Sequence, residues 1–444
     1  MNVVPSRREF LAGTPLLAAA TARPRPNIVF IVSDDHHWQC LGAAGNPNIH
    51  TPALDRLAAR GVNFSNATIS CAQCCPSRGV LLSGLESYQS GLDSNGHTAF
   101  RTFHGQTIVE QLRRSGYQTS LVGKWHVDPM PRECGFTEAP LWLRGGASVY
   151  RDPKLRSGLD ARDATVPGHI TDLLTDAAVH VIESARQPYL LWLTYNAPHT
   201  PWYAGEKYLA PYRGRNRELA PPAHPKPPAS GDRGFDWETY YAVISHLDEG
   251  VGRVVNAVEK TGQWANTLVV FLGDNGYLCG AKGLQGKVHP WEPSVRVPLI
   301  LSGGLVHKAA RSDAMAASVD LPATFLDYAG VKPSHALAGT SLRSVLAGHR
   351  FSRDAAFASW NDGRPEGLAI MQAVEPYRAV RTRSLKYVLW ESRKQALFDL
   401  AADPHEDRDL SADSAHATDL RKMRSRLEAR MKATADSAIA WLRS

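Results

Sequence analysis

The chain has 444 residues, of which 43% are hydrophobic and 21% are charged. This composition excludes a disordered or membrane-embedded protein, and the length predicts one large domain with a smaller second one. The formal net charge of +7 favours anionic partners, but no run of lysine and arginine predicts a nucleic-acid-binding arm.

The first 22 residues predict an export signal. Arg7 and Arg8 precede a short apolar stretch, residues 11–20, which runs into the small-residue sequence Ala20-Thr21-Ala22. The stretch is too short to span a bilayer, and paired arginines are typical of twin-arginine signals. We therefore expect a periplasmic or secreted protein without membrane insertion; an ordinary amphipathic start is the alternative.

Strands and helices alternate along the chain after the signal. Apolar runs rich in β-branched residues predict buried strands over residues 27–33, 117–122, 189–194 and 267–272. Helical spacing and terminal signals predict helices over residues 52–60, 106–115, 169–186 and 237–261. This alternation predicts an α/β domain with a large, mainly parallel sheet, in which ligands bind beyond the carboxyl ends of the strands.

A cysteine-rich segment, residues 71–84, combines a reactive thiol with a helix start. Pro76 suits the first turn of a helix, which places Cys74 just ahead of a helix N-terminus. Free N–H groups there, with Arg78 beside them, favour an anion. The alternatives are a zinc knuckle, a disulfide corner and thiols that only pack. Zinc is disfavoured because no second cysteine or histidine pair follows at short spacing.

Polar or titratable residues follow each of the four predicted strands. They are Asp34 and Asp35, Lys124 and His126, His199, and Asp274 and Asn275. One such residue is usually a turn or helix cap, but four instances at one sheet edge predict a common site. Their oxygen atoms suit calcium or magnesium better than zinc, and calcium is the better candidate because it accepts irregular, carboxylate-rich sites.

These residues belong to an ordered set of motifs. The sequence Cys74-Cys75-Pro76-Ser77-Arg78, followed by Leu81-Leu82-Ser83-Gly84, resembles the C-x-P-S-R signature of the type I sulfatases of the alkaline phosphatase superfamily. Further family motifs match at Asp34-Asp35, Lys124 and His126, Ala197-Pro198-His199, Asp274-Asn275-Gly276, Gly286-Lys287, Glu292 and Arg296-Val297-Pro298. The resemblance covers nearly the whole mature chain and implies an alkaline-phosphatase-like α/β fold.

The resemblance also implies the nucleophile and the cofactor. In this family the cysteine at the position of Cys74 is oxidised to formylglycine (3-oxoalanine) by a formylglycine-generating enzyme. A hydroxyl of the hydrated aldehyde would attack the sulfur of a sulfated carbohydrate or another small organic sulfate, giving a covalent sulfo-enzyme. The implied ligands of Ca²⁺, with Mg²⁺ as the weaker candidate, are Asp34, Asp35, the modified Cys74, Asp274 and Asn275.

Five residues receive other roles from the same resemblance. His126 would be the base that restores the aldehyde and releases sulfate, and His199, helped by Lys287, would protonate the departing alcohol. Arg78 and Lys124 would stabilise the nucleophile and the sulfonyl oxygens. Each lysine taken alone would be interpreted as a solvated surface amine.

Three further residues are candidates for substrate binding. His97 lies in a loop that often lines the substrate pocket in this family, Lys282 lies where many relatives carry Gly-Glu-His-Gly, and Trp202 could stack on a sugar ring. A turn-bound histidine, a solvated lysine and a core tryptophan are the structural alternatives. The proline-rich segment 210–234 predicts a long loop over the active-site face, with an exposed linker as the alternative.

The alternating pattern changes in the last hundred or so residues. Residues 377–383, 386–390 and 395–400 predict a small antiparallel sheet, and a helix over residues 412–441 follows. We therefore predict a signal at 1–22, a catalytic domain at 23–345 and a C-terminal α+β subdomain at 346–444.

Two other functions remain compatible with the sequence. A phosphodiesterase or phosphonate monoester hydrolase of the same superfamily could use the same metal site. If Cys74 is never oxidised, a non-catalytic glycan-binding protein is the second alternative, although every expected catalytic residue type is present.

Overall fold

The computed structural model describes residues 24–95, 100, 106–186, 188–222, 224, 234–362 and 374–442. The predicted signal at residues 1–22, the candidate His97 and about half of the segment 210–234 lie outside the described residues. No helix within the described ranges is long and apolar enough to cross a membrane.

The secondary structure consists of fourteen strands and eleven α-helices in these ranges, with short 3₁₀ turns between them. The strands are β1 (Asn27–Ser33), β2 (Val62–Phe64), β3 (Gln118–Lys124), β4 (Glu138–Leu143), β5 (Lys154–Leu155), β6 (Ala164–Thr165), β7 (Tyr189–Thr194), β8 (Thr267–Gly273), β9 (Leu299–Ser302), β10 (Ala310–Ser312), β11 (Ala356–Trp360), β12 (Tyr377–Arg381), β13 (Leu385–Trp390) and β14 (Gln395–Asp399). The helices are α1 (Pro52–Ala59), α2 (Cys74–Ser83), α3 (Ser87–Ser90), α4 (Ile108–Arg114), α5 (Ile170–Ser184), α6 (Glu206–Leu209), α7 (Trp237–Lys260), α8 (Glu292–Val295), α9 (Asp320–Ala329), α10 (Arg343–Leu346) and α11 (Ala417–Ala433).

Eight strands form one large sheet in the order β10-β2-β9-β8-β1-β7-β3-β4. The strands β8, β1, β7, β3 and β4 run parallel, whereas β9 is antiparallel to both of its neighbours. Every residue of β1, β7 and β8 is buried, as expected of strands covered on both faces. The prediction of a mainly parallel α/β domain is confirmed.

Helices cover both faces of this sheet. Alternate residues of β1 enter two separate cores: Ile28, Phe30 and Val32 pack on one face, and Val29 and Ile31 on the other. The first core includes side chains from α2, α4 and α9, and the second includes side chains from α1, α5 and α7. The helix that begins at the cysteine segment is therefore held rigidly against the sheet.

The C-terminal part contains a separate antiparallel sheet, β11-β12-β13-β14, as predicted. The buried side chains Met423, Leu427 and Met431 of α11 pack against it. The predicted helix over 412–441 is too long at both ends, because the helix begins only at Ala417, after a short 3₁₀ turn, and ends at Ala433. The chain turns there because Ala435 has a left-handed φ of 52°.

A buried group of charges, which we call the ionic cluster, joins the two parts; it consists of Glu292, Arg296, Arg381, Lys386 and Glu406. The Glu292 carboxylate accepts from Arg381 Nε at 2.9 Å and from Lys386 Nζ at 3.1 Å. Glu406 Oε1 lies 2.5 Å from Lys386 Nζ, and its Oε2 accepts from the Glu292 backbone N–H at 2.7 Å. Burial would raise the pKa of Glu292, but Arg381 and Lys386 hold it below its usual range. The segment that leads into β9 is thereby tied to the C-terminal sheet.

Candidate active site

The carboxyl ends of four neighbouring strands bring the predicted residues together. Asp34 and Asp35 follow β1, Lys124 ends β3, His199 follows β7, and Asp274 and Asn275 follow β8. The backbone fixes these ends to one another, since Asp34 N–H donates to Ala197 O at 3.0 Å and Asp274 N–H donates to Ser33 O at 2.9 Å. The sheet order β8-β1-β7-β3 therefore places side chains that are far apart in sequence around one point.

Cys74 is the first residue of α2, and its side chain points into this site. The Cys74 thiol lies 3.4 Å from Asp34 Oδ1, and Lys287 Nζ lies 2.7 Å from Cys74 Sγ. Lys287 Nζ also donates to Asp35 Oδ1 at 2.5 Å. All six cysteines of the chain are buried and none forms a disulfide, so the predicted disulfide alternative is not supported. Neither Cys71 nor Cys75 belongs to a potential metal-binding group of the described residues.

Three cations and three carboxylates alternate around the thiol. Arg78 Nη2 donates to Asp274 Oδ2 at 2.8 Å and lies 3.4 Å from Asp34 Oδ2, while Arg78 Nη1 donates to Lys124 O at 2.6 Å. Lys124 Nζ forms an ion pair with Asp34 Oδ2. Burial would raise the pKa of Asp34, but the Lys124 and Lys287 ammonium groups hold it well below its usual range. Lys124 is thus a buried, ion-paired lysine and not a solvated surface amine.

The oxygen atoms at this edge fit a divalent cation. Four residues supply them, and each is at most 3% exposed: Asp34, Asp35, Asp274 and Asn275. Asp274 Oδ1 has no hydrogen-bond partner among the described residues, and burial together with the charge of Asp34 raises the pKa of Asp274. A buried carboxylate oxygen without a donor or counter-ion is costly, and a bound cation removes that cost. The set of hard oxygen ligands suits Ca²⁺.

The two histidines of the site have opposite protonation preferences. Burial and the nearby charge of Lys124 lower the pKa of His126 to about 2, so its ring is neutral at ordinary pH. Burial would lower the pKa of His199 as well, but the Asp35 carboxylate raises it. His199 Nδ1 donates to Thr200 O at 2.6 Å, which leaves Nε2 directed into the site at 3.7 Å from Asp35 Oδ2.

Two aromatic side chains hold the loop that carries His199. Tyr150 OH donates to His199 O at 2.8 Å, and Trp202 Nε1 donates to Pro198 O at 2.6 Å. Tyr150 has no motif around it, and only its contact in the folded chain reveals this role. Trp202 also packs in an aromatic cluster with Tyr240. Its predicted stacking on a sugar stays a prediction beside this observed positioning role.

Two more residues that the sequence did not single out position the site. Tyr240 OH donates to Asp35 O at 2.6 Å and accepts from His37 N–H at 2.9 Å, which fixes the turn after β1. Gly146 leaves room for the ring of His126, since a β-carbon there would lie 2.6 Å from Cε1 of that ring. The helical periodicity around Tyr240 predicts that this side chain is buried, but it does not predict the hydrogen bonds to Asp35 and His37.

Among the described residues, no hydrogen bond or ion pair connects Lys282 to the residues around Cys74. Its Nζ donates to Glu406 O at 2.7 Å, lies 3.1 Å from Asp407 Oδ1 and stands 4.9 Å from the ring centre of Trp291. It therefore links the loop after β8 to the C-terminal part. Its predicted role in substrate binding remains a prediction.

Known protein families and individual proteins match nearly the whole of this chain. The sulfatase family model matches residues 26–331, and the model described as N-sulphoglucosamine sulphohydrolase, C-terminal, matches residues 280–433. An N-acetylglucosamine-6-O-sulfatase of Bacteroides thetaiotaomicron is 26% identical over 93% of this chain and 87% of its own length. An ulvan-active sulfatase of Formosa agariphila is 28% identical over 87% of this chain and 77% of its own length.

Solved structures show the same fold along nearly the whole chain. A protein in complex with its substrate D-glucosamine-2-N,6-O-disulfate superimposes with a TM-score of 0.84 at 25% identity, covering 93% of this chain and 99% of that one. The phosphonate monoester hydrolase of Agrobacterium radiobacter superimposes with a TM-score of 0.76 at 21% identity, covering 94% of this chain and 97% of that one.

Proposed function

Since the chain belongs to the sulfatase family, we propose that it removes sulfate from a sulfated carbohydrate, and that 6-O-sulfated glucosamine is the first substrate to test. The observation that carries the proposal is the position of Cys74 at a helix start, in contact with Lys287 and Asp34. The names of the N-acetylglucosamine-6-O-sulfatase and of the glucosamine-disulfate complex support the choice of sugar.

The chain's cations would neutralise the sulfate group. A sulfate ester brings negative charge into a buried site, where fixed positive charges act strongly because water is excluded. Arg78, Lys124 and Lys287 supply that charge and are themselves held in place by carboxylates. Oxidation of Cys74 to formylglycine would supply a hydrated aldehyde with a hydroxyl nucleophile. Ca²⁺ held by the four oxygen-bearing residues would add positive charge beside it.

The two histidines divide the proton transfers. His199 presents Nε2 to the site and would donate a proton to the departing sugar oxygen, since the Thr200 carbonyl fixes its Nδ1 proton. His126 is neutral, and its Nδ1 has no hydrogen-bond partner among the described residues, so this nitrogen would act as the base once the negative charge of the bound sulfate group raises the pKa of the ring. Release of a poor leaving group requires an acid, and regeneration of the enzyme requires a base. The two histidines can fill these two roles because their pKa values are shifted in opposite directions.

Substrate turnover tests this proposal. The purified enzyme should release inorganic sulfate from glucosamine 6-sulfate with a higher kcat/KM than it releases products from a phosphate diester or a phosphonate monoester. Preferential turnover of the phosphonate would support the phosphonate hydrolase alternative and contradict the proposal. Binding of the sulfated sugar without any turnover would support a non-catalytic glycan-binding protein.

Calcium removal tests the proposed metal site. Dialysis against a chelator should abolish activity, and Ca²⁺ should restore it more effectively than Mg²⁺. Calorimetric titration gives a readout independent of activity. Asp274→Asn should weaken Ca²⁺ binding at least about tenfold, since loss of even an outer partner of a metal site has effects of that size. The surface variant Asp176→Asn is the control and should bind Ca²⁺ normally. Equal Ca²⁺ affinity of the two variants would exclude Asp274 as a ligand.

A further inference from the structure

A cavity lies at the same edge of the large sheet as the active site, over β9 and β2. Leu299 at the start of β9 pairs with Leu272 at the end of β8, so the segment just before β9 reaches the edge where Asp274 lies. The cavity has a volume of about 150 Å³. We call it the lateral pocket. Its lining includes Trp38, Lys282, Trp291, Arg296, Arg381 and Arg383. None of its described lining residues belongs to the proposed catalytic or metal-binding set, although Lys282 was predicted to bind substrate.

The lateral pocket faces an excess of positive charge. Its lining contains four cationic side chains, Lys282, Arg296, Arg381 and Arg383, but Glu292 is the one carboxylate among its described lining residues. The ionic cluster beneath it has three cations, Arg296, Arg381 and Lys386, against two carboxylates, Glu292 and Glu406. Among the described residues, the cluster therefore has one more positive than negative charge.

Arg296 is the cation of the cluster with the longest carboxylate contact. Its Nε donates to Ser65 O at 2.9 Å, and its Nη2 donates to the same carbonyl oxygen. Its Nη1 lies 3.6 Å from Glu292 Oε2, which is close enough for an ion pair but too long for a hydrogen bond. Burial lowers the pKa of Arg296 to about 10, although Glu292 acts in the opposite direction. The guanidinium carbon Cζ lies 3.5 Å from the ring centre of Trp38, which is a cation–π contact.

Arg381 does not share this property. Its Nε donates to both oxygens of Glu292, and its remaining N–H groups donate to Asn66 Oδ1 at 3.1 Å and to Thr382 O at 3.2 Å. Arg383 stands half exposed at the rim, where it pairs with the exposed Asp313. The lateral pocket thus has one under-neutralised guanidinium at its base and a further cation at its entrance.

We propose that the lateral pocket binds a sulfate group, with Arg296 as its main partner and Arg383 and Lys282 at the rim. A guanidinium whose Nη1 donates no hydrogen bond to the described residues can donate to the oxygen atoms of a tetrahedral oxyanion. The volume corresponds to about five water molecules, which is enough for one sulfate with some of its water. The sulfate would be either a free ion or a substituent of a longer sulfated glycan. The site goes beyond the proposed reaction and does not depend on it.

A substituent on a glycan is sterically reasonable because the two sites are neighbours. Adjacent strands lie about 5 Å apart. The lateral pocket is over β9 and β2, one and two strands from β8, which carries Asp274. The lateral pocket is therefore roughly 5–10 Å along the sheet from the oxygen-rich site, a distance that one or two sugar residues can span.

Crystals of the full-length enzyme soaked in selenate, a sulfate isostere with an anomalous signal, test the proposal directly. We expect an anomalous peak within hydrogen-bonding distance of Arg296, in addition to any peak near Cys74. A peak near Cys74 alone would overturn the lateral site and leave the proposed reaction untouched. No peak at Cys74 with one at Arg296 would still support the lateral site.

Titration with sodium sulfate at constant ionic strength gives the second measurement. Arg296→Lys should weaken the lateral binding event at least about tenfold, as expected for loss of a charge-assisted hydrogen bond. Arg383→Gln, which changes only a surface group, should weaken it by a smaller factor, and the exposed Arg213→Gln is the matched control. Unchanged sulfate binding in a folded Arg296→Lys variant would overturn the proposal. If Arg296→Lys does not fold, unchanged sulfate binding in Arg383→Gln would overturn it instead.

Kinetics with two substrates separate the two sources of sulfate. If a glycan substituent occupies the lateral pocket, Arg383→Gln should raise KM for a multiply sulfated oligosaccharide and leave KM for a sulfated monosaccharide unchanged. If free sulfate occupies it, both KM values should stay unchanged while sulfate binding in the titration weakens.

Discussion

Replacing Cys74 with alanine is expected to lower kcat/KM for sulfate-ester hydrolysis by at least about 10⁴-fold, because removal of an enzyme's nucleophile costs at least that much. The side chain of Cys74 is the one reactive group that reaches both Asp34 and Lys287 from the start of α2. Cys74→Ala removes the precursor of the aldehyde while leaving the helix start, Arg78 and the carboxylates in place. The measurement is steady-state sulfate release, with circular dichroism to show that the variant is folded.

Cys75→Ala is the matched control for this experiment. Cys75 is a buried thiol on the same turn of α2, and burial raises its pKa, so it is an unreactive neighbour. Its replacement should leave kcat within a few-fold of the wild type, which is the size expected for a packing change. Peptide mass spectrometry over residues 71–78 of protein from the native host should show an aldehyde at position 74. A fully active Cys74→Ala enzyme, or an unmodified thiol in active enzyme, would contradict the proposed nucleophile.

Replacing His199 with glutamine is expected to lower kcat for a sugar sulfate by about 10²–10⁴-fold, the usual contribution of a positioned general acid. The reason is geometric. The Thr200 carbonyl holds Nδ1, and Tyr150 holds the backbone of His199, so that Nε2 is directed into the site. The loss should be much smaller for 4-nitrophenyl sulfate, since nitrophenolate departs without needing a proton. The ratio of the two kcat values is the measurement.

His180→Gln serves as the control, because this histidine lies exposed on α5. It should leave the ratio between the two substrates unchanged. If His199→Gln slowed both substrates equally, the residue would act in binding or in support of the metal ligands, and another group would have to protonate the leaving oxygen.

Much of the fold could be predicted from the sequence because the core strands β1, β7 and β8 contain long apolar runs. Such runs are characteristic of strands covered on both faces, and the predicted run at 189–194 coincides with β7. The C-terminal helix was predicted too long because periodicity does not show where a chain turns. The left-handed φ of Ala435 and the side chain of Asp436, which pairs with Arg378, decide that point.

The sequence by itself determined which residues meet, because motifs at the ends of parallel strands must share one edge of the sheet. Asp34, Lys124, His199 and Asp274 follow from that rule, whereas Cys74, which begins helix α2, was predicted from the helix start and the family motif. Only the tertiary structure decided the protonation state of each side chain. Burial and the distance to neighbouring charges shift each pKa away from the value that the residue type alone would give.

The same limit explains the residues that the sequence did not single out. Tyr150 and Tyr240 contact the site only through hydroxyl hydrogen bonds, from segments that carry no motif. Lys282 contacts the C-terminal part and not Cys74. The excess positive charge of the ionic cluster likewise depends on side chains that only folding brings together. A hydrogen bond or an ion pair is a property of three-dimensional distance, and a linear sequence specifies that distance only where the fold repeats a regular pattern.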